Sequence, residues 1–368
     1  MKIPLPLPKG AGLSKDLFVS VLQKLKGPQK PELPQACIAV DFGKSKIVLL
    51  EVELFQNKAT LTKFHKIARP ADHAKDAEVL RQAFESGGYR SEGVRISVKG
   101  QGVVLRFIQF PQMKVEELRG AISFEIEQYI PFKAPEVVWD FHVLDENIAL
   151  PAGGTGMNIL LVAVKRDELF NQIQLFQSAG LQIELIDVDA LAAINALEFF
   201  QPEKLKLPTA LLDIGSEVST LSIILDGKPR FIRDISYGGF DMIKKLKRKL
   251  GLTQEQAVQQ IEVDQQPTPE AEAILKEALS DLVSELKLSL NYYLDQVPGS
   301  EPVKALVISG GGGYHPVAVQ ALTAELGFTV ETMDILSSIQ LGSGLSPEVI
   351  KSNQGLLPVS LGLCVRRV

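Results

Sequence analysis

Twice in this chain an apolar strand runs into an Asp-x-Gly corner, and a second apolar strand leaves it. Few folds accommodate that repetition. The first copy reads Ile38-Ala39-Val40-Asp41-Phe42-Gly43 and is followed by a strand over 47–52. The second reads Ala210-Leu211-Leu212-Asp213-Ile214-Gly215 and is followed by a strand over 221–225 that turns at Asp226-Gly227. Asp41 and Asp213 lie 172 residues apart, in a chain of 368 residues that exceeds one ordinary core. The duplicated unit predicts two pseudo-equivalent α/β lobes. A third apolar strand, over 305–308, ends in Ser309 and the glycines Gly310, Gly311, Gly312 and Gly313.

Each corner has a physical use. A glycine lets the backbone approach a ligand closely and permits unusual φ. The N–H groups that follow can cradle phosphate oxygens as a nest. The aspartate can hold Mg²⁺, usually through water, because Mg²⁺ gives up its water reluctantly. One such corner alone is an ordinary hairpin turn. Here there is a matched pair, each followed by hydroxyls: Ser45 after the first, and Ser216, Ser219 and Thr220 after the second. Facing each other across a cleft, they would clamp a triphosphate from both sides. Lys44 and Lys46 flank Ser45 and add positive charge. The glycine run, read alone, is a flexible turn. In this order, Gly310, Gly311 and Gly312 read as backbone lying against a base or ribose. The expected site therefore takes ATP on Asp41, Gly43, Lys44, Ser45, Lys46, Asp213, Gly215, Ser216, Ser219, Thr220 and the glycine run. Asp41 and Asp213 are the expected Mg²⁺ carboxylates.

Other features exclude function classes. A net charge of −5 argues against a general nucleic-acid binder. Two cysteines, Cys37 and Cys364, provide neither metal-ligand spacing nor a disulfide framework, and a reducing cytoplasm suits them. His65, His73, His142 and His315 are dispersed, without metal spacing. No apolar run reaches the roughly 18 residues that span a bilayer, and the N-terminus lacks a secretory apolar core. The expected location is the cytoplasm, with room for attachment to a membrane surface.

Residues 1–34 read as an appended arm. Ile3-Pro4-Leu5-Pro6-Leu7-Pro8 resists helix, and Ser14 then caps a short helix with an apolar stripe from Leu13 to Leu25. Residues 1–30 hold six lysines against one acid, Asp16. That balance suits an anionic membrane surface, while packing on the protein's own body or disorder are the blander alternatives. In the body, helices are expected over 74–86, 116–130, 167–178, 240–263 and 270–295, and strands over 94–110 and 159–164. In the 116–130 helix, Leu118, Ala121, Ile122, Ile126 and Tyr129 recur at helical spacing.

Several stretches resemble the PilM family of type IV pilus assembly proteins, within the actin-like superfamily. They are Val40-Asp41-Phe42-Gly43, Phe124-Glu125-Ile126-Glu127-Gln128-Tyr129-Ile130-Pro131-Phe132, Leu212-Asp213-Ile214-Gly215-Ser216, Arg233-Asp234 with Gly238-Gly239, and Ser309-Gly310-Gly311-Gly312. The resemblance spans about 36–368. It implies a two-lobed actin-like (ribonuclease H-like) α/β fold with a small inserted α/β subdomain. The implied boundaries are an arm at 1–34, lobe 1 at 35–92, the insert at 93–185, a return to lobe 1 at 186–207, and lobe 2 at 208–368 with its last segment back on lobe 1. It further implies bound ATP with Mg²⁺, slow hydrolysis at most, and a cytoplasmic scaffold peripheral to the inner membrane. The implied partner is the cytoplasmic tail of a PilN-type bitopic membrane protein, in a groove lined from Phe124, Ile126 and Ile130. Self-association is a further possibility. Glu285, Lys287 and Ser289 resemble the family helix that faces the adenosine. The sequence departs from the family where its first turn usually carries a lysine: Val48 stands there, with Lys46 as the substitute. An FtsA-like cell-division actin and a small-molecule kinase are the alternatives. Phosphoryl transfer needs a group that orients the nucleophile, and the sequence offers no clear one, which favours a scaffold.

Overall fold

The computed structural model describes residues 35–89, 93–150, 153–261 and 267–366. The arm over 1–34, including its amphipathic stripe, lies outside the described residues. The chain opens on an antiparallel meander of β1 (Gln35–Phe42), β2 (Lys46–Phe55) and β3 (Lys58–Ala68). Helix α1 (Asp76–Ser86) crosses to β4 (Gly93–Val98), which pairs parallel with β1. The chain then leaves this sheet. Strand β5 (Val103–Pro111), helix α2 (Val115–Tyr129), and strands β6 (Val137–Ala149) and β7 (Thr155–Lys165) build a separate three-stranded sheet in the order β5-β7-β6. Helix α3 (Arg166–Ser178) brings it back to β8 (Gln182–Val188), parallel to β4, and α4 (Asp189–Phe200) follows directly.

The inserted unit is thus narrower than 93–185. Strands β4 and β8 hydrogen-bond into the first lobe's sheet. Leu169, Ile173 and Phe176 of α3 pack with Ile38 and Val40 of β1. Only the β5-α2-β6-β7 unit has a sheet of its own, and Leu160, Val162 and Val164 of β7 still pack into the core under α3. The helix-like pattern over 74–86 and the strand pattern over 94–110 likewise resolve further. Residues His73–Lys75 form a 3-10 turn before α1, and 99–102 separate β4 from β5.

The second lobe repeats the first. Strands β9 (Thr209–Ile214), β10 (Ser219–Leu225) and β11 (Lys228–Ile235) form an antiparallel meander. Helices α5 (Gly239–Leu250), α6 (Gln254–Gln259) and α7 (Pro269–Gln296) follow. Strand β12 (Ala305–Ser309) then pairs parallel with β9, and α8 (Pro316–Leu326) leads to β13 (Thr329–Thr332), parallel to β12. The order β11-β10-β9-β12-β13 matches β3-β2-β1-β4-β8 strand for strand. The helix expected over 240–263 is two helices. Gly251 ends α5 in the left-handed region at φ +67, and the Thr253 hydroxyl caps α6 by accepting from the Gln256 N–H. Finally β14 (Gln340–Leu341) joins the β3 edge of the first sheet, and α9 (Pro347–Ser352) and α10 (Pro358–Val365) follow.

Strand alternation explains how the layers join. Along β1, Ile38 and Val40 point to the core beneath α1 and α3, while Cys37 and Ala39 point to a core shared with α4 and α10. Along β9, Ala210, Leu212 and Ile214 face α5, α7 and α8, while Leu211 enters that same shared core. One core of small and apolar residues therefore lies between the two sheets. Helices α4 and α10 cross within it, where Ala192 meets Gly362 and Ala193 and Ala196 share the core.

Candidate functional site

The two Asp-x-Gly corners have the same construction. The Gly43 N–H donates to the Lys46 carbonyl at 3.0 Å, and the Gly215 N–H donates to the Val218 carbonyl at 3.2 Å. A Cβ on Gly43 would sit 2.7 Å from the Lys46 oxygen, and one on Gly215 would sit 2.6 Å from the Val218 oxygen. Both glycines are therefore needed for the same close approach. The tips face each other across the lobes, since Lys44 Nζ reaches Glu217 Oε2 at 4.0 Å. That exposed pair adds little stability, but it shows where the corners lie. Arg69 supports the first corner from behind. Its backbone N–H donates to the Ser45 carbonyl at 2.9 Å, and its guanidinium donates to the Gly43 carbonyl at 3.3 Å.

Between the corners lie charged groups that sequence spacing did not point to. Lys99, in the loop from β4 to β5, brings Nζ to 3.0 Å from Asp41 Oδ1 and to 2.6 Å from Asp189 Oδ2. Asp189 is the first residue of α4, where the helix N-terminus favours negative charge. Its burial raises the carboxyl to about 6, although Lys99 opposes the shift. The position of Lys99 in the cleft works against its charge, but Asp189 and Asp41 outweigh this and hold it well above the usual lysine value. Burial also raises Asp213, and the Ser309 hydroxyl, donating to Oδ1 at 2.7 Å, opposes it. Lys99 and Asp41 both act on Asp213, so the four groups share one cleft. The sequence signals for the two missed residues were faint: a Lys-Gly pair after a strand, and an Asp at a strand-to-helix junction.

The remaining expected residues divide. Ser219 is fully buried, and its hydroxyl donates to the Tyr237 carbonyl at 2.7 Å. Thr220 donates to Asp234 Oδ1 at 2.8 Å, across the β10–β11 ladder. Both hydroxyls are used inside the second lobe's meander. Ser216 lies in the second corner, where its carbonyl accepts from the Phe240 N–H at 2.8 Å, and the Gly215 carbonyl accepts from Gly239 at 2.9 Å. The N-terminus of α5 thereby closes over this corner. The glycine run also packs onto it. Gly310 donates to the Gly355 carbonyl at 3.0 Å and Gly312 to the Ile214 carbonyl at 3.1 Å. Of the three glycines, Gly311 alone has an N–H with no such bond among the described residues. Lys46 opens β2, half-buried. Lys287 turns away from Ser289. It pairs with Glu325 of α8 at 2.9 Å, while the Ser289 hydroxyl accepts from Arg233 at 3.0 Å and Arg233 also reaches Glu285 at 3.1 Å. Residues two apart on a helix are about 200° apart around its axis, so Lys287 and Ser289 cannot face one ligand.

The insert likewise corrects an expectation. Leu118, Ile122, Ile126 and Ile130 form one ridge buried against β5 and β7, with Ile126 fully covered. Ile126 and Ile130 are therefore interior residues and do not line a partner groove. Phe124, on the opposite side of α2, is 92% exposed. Glu125 bonds Tyr129, and Glu127 accepts from the Ala134 N–H.

Direct coordination of Mg²⁺ by Asp41 and Asp213 fits these donors poorly. Asp41 already carries the Lys99 ammonium, and Asp213 accepts from Ser309. Among the described residues, no group of three or more His, Cys, Asp or Glu is placed to hold a metal ion. No helix among them is long and apolar enough to cross a membrane.

A solved structure described as the PilM-PilN type IV pilus biogenesis complex is similar at a TM-score of 0.77 and 24% identity, over 90% of this chain and 98% of that one. The ethanolamine utilization protein EutJ from Carboxydothermus hydrogenoformans is similar at a TM-score of 0.53 and 14% identity, over 95% of this chain and 93% of that one. These likenesses show the fold, which is two-lobed and actin-like. Residues 39–368 match the family described as type IV pilus assembly protein PilM. That match takes in both corners, the insert and the returning C-terminal helices, and the chain belongs to the PilM family.

Proposed function

We propose that this protein is a cytoplasmic ATP-binding scaffold of a type IV pilus assembly platform, which holds the cytoplasmic tail of a PilN-type membrane protein beside its insert. The observation that carries the nucleotide half is the matched pair of corners, closed by the same hydrogen bond, whose side chains meet where Lys44 Nζ lies 4.0 Å from Glu217 Oε2. The phosphates would lie between them, against the backbone of Gly43, Lys44, Ser45 and Lys46 on one side and of Gly215 and Ser216 on the other. Gly311 would add its N–H. Binding rather than turnover is the proposed role, because Asp189, the buried carboxylate beside Asp41 in the cleft, is already held by the Lys99 ammonium at 2.6 Å. Calorimetry tests this half. Gly43→Ala and Gly215→Ala, which press a Cβ on the corner carbonyls of Lys46 and Val218, are expected to weaken ATP binding, and unchanged affinity in both would refute the site.

For the partner half, family membership and the exposed Phe124 support the reading. An extended tail gains affinity by adding to a sheet edge, with side chains choosing pockets. The insert's sheet has β5 and β6 at its edges. Pull-down with a PilN-type tail tests this, and no binding at tens of micromolar by folded protein would count against a pilus role. The basic arm over 1–30 would add contact with an anionic inner-membrane surface, at about 1 kcal/mol per lysine near the surface. Full-length protein is then expected to sediment with anionic vesicles and release at high salt. Equal sedimentation after deletion of residues 1–34 would show that the arm is not the anchor.

A further inference from the structure

The carboxylates of the cleft already have a cation. Lys99 Nζ stands between Asp41 Oδ1 and Asp189 Oδ2, at 3.0 and 2.6 Å. Its loop is fixed at both ends. The Val103 N–H donates to the Gly100 carbonyl at 2.9 Å, and the Lys165 N–H donates to the Gly102 carbonyl at 2.8 Å. Gly100 takes φ +98, a turn that lets the chain leave β4 for the insert with Lys99 held over the carboxylates. Asp41 and Asp189 are largely covered, whereas the Lys99 side chain is 41% accessible. An ammonium has three donors. Two are directed at the carboxylates, and the third remains for an oxygen entering the cleft.

We propose that Lys99 is the resident cation of this cleft. It bridges Asp41 and Asp189 in the free protein, offsets one of their two negative charges and occupies the oxygens a divalent ion would need, and it offers its third donor to a terminal phosphate oxygen of a bound nucleoside triphosphate. The second half rests on the proposed nucleotide reading; the first is a property of the free protein. Mg²⁺ needs near-octahedral oxygen donors and sheds water reluctantly, and an ammonium already bonded to two carboxylates competes directly for them. The arrangement makes nucleotide affinity depend more on Lys99 than on Mg²⁺.

Two measurements on the full chain test this, with Lys99→Met to remove the charge at similar length and Lys99→Arg to keep it. The first is thermal unfolding of nucleotide-free protein against Mg²⁺ alone. The wild type and Lys99→Arg are expected to be insensitive, while Lys99→Met gains a concentration-dependent rise in Tm as its bared carboxylates take up the metal. A wild type stabilised by Mg²⁺ as strongly as Lys99→Met overturns the proposal, as does a Lys99→Met protein that stays insensitive. The second is ATP calorimetry with Mg²⁺ and with EDTA. The wild type is expected to keep most of its affinity in EDTA. Lys99→Met is expected to lose about tenfold there, the scale of one hydrogen bond to a charged group, and to recover in Mg²⁺. Equal ATP affinity of wild type and Lys99→Met in EDTA overturns the second half. If neither protein binds ATP under any condition, the nucleotide reading fails, and the Mg²⁺ titration still decides the first half. Should Lys99→Met not fold, Lys99→Gln takes its place in both measurements.

Discussion

Gly310 and Gly344 show how differently two glycines can matter in one chain. Gly310 takes φ +85, and a Cβ there would lie 2.4 Å from the Ile214 carbonyl oxygen, a backbone atom that cannot swing away. Gly344 needs no unusual φ and has open space around its would-be Cβ. Gly310→Ala is therefore expected to cost about 2–4 kcal/mol from the strained φ and the clash together. Gly344→Ala should fall within about 0.5 kcal/mol of wild type. Urea unfolding of the two variants side by side checks the contrast. A residue-scale view also explains why Phe124 is the side chain to alter for partner binding. At 92% exposed it contributes almost nothing to the fold. Phe124→Ala should leave Tm unchanged and weaken a PilN-type tail by about 1 kcal/mol or more if the ring sits at the contact, which calorimetry with the tail peptide would read. Unaltered affinity would move the groove away from this face of α2.

At the scale of elements, the insert is fastened to the second lobe as well as to the first. Asp145 of β6 takes two contacts from Arg230 and one from Lys228 of β11, and Asn158 of β7 donates to it at 3.0 Å. Burial favours the neutral acid, but Arg230, Lys228 and Asn158 outweigh it and hold the Asp145 carboxyl well below the usual carboxylate range. A carboxyl depressed in the folded state contributes stability that is fully present above its unfolded pKa of about 3.9 and is lost as pH falls below it. Asp145→Asn keeps the shape but removes the charge, at a cost of about 1–3 kcal/mol near neutral pH for a partly buried charged hydrogen-bond set. The wild-type advantage in Tm should hold at pH 7 and shrink steadily once the pH drops under about 4. A difference that is constant down to pH 2 would show that the charge is not what joins insert and lobe.

For the whole molecule, the crossing of α4 and α10 sets how the lobes sit together. A Cβ on Gly362 would be 1.7 Å from the Ala192 carbonyl oxygen. The C-terminal end of α10 is pinned to the first sheet, where buried Arg95 donates to the carbonyls of Leu363, Cys364 and Arg366 at 3.0, 3.1 and 3.0 Å. Arg366 in turn pairs with buried Asp187 of β8. Gly362→Ala must push the two helices apart inside the core that both sheets share. The expected cost is about 3 kcal/mol or more, at the upper end of overpacking effects. Thermal unfolding should show a drop in Tm several degrees larger than that of Gly344→Ala, and a near-neutral Gly362→Ala would mean that the lobes have slack between them.

Local chemistry marked the two corners because a strand that must stop at Asp-x-Gly needs only its own glycine to do so, and Gly43 and Gly215 carry the same 2.6–2.7 Å constraint at sites 172 residues apart. The helix over 116–130 was visible for a similar reason, since its apolar spacing is a property of one segment. Periodicity could not say what that apolar face meets, and packing against β5 and β7 turned Ile126 and Ile130 inward. Ser219 and Thr220 follow Gly215 as closely as a phosphate ligand would, yet the ladder of β10 with β11 directs their hydroxyls to Tyr237 and Asp234. The boundaries of the insert depended on which strands pair, and pairing is non-local. The same holds for the cleft's charge. Lys99 lies 58 residues from Asp41 along the chain and 3.0 Å from it in space. An ion pair of that kind leaves no trace in spacing or composition, because it is made by the fold bringing the end of β4, the end of β1 and the start of α4 to one point.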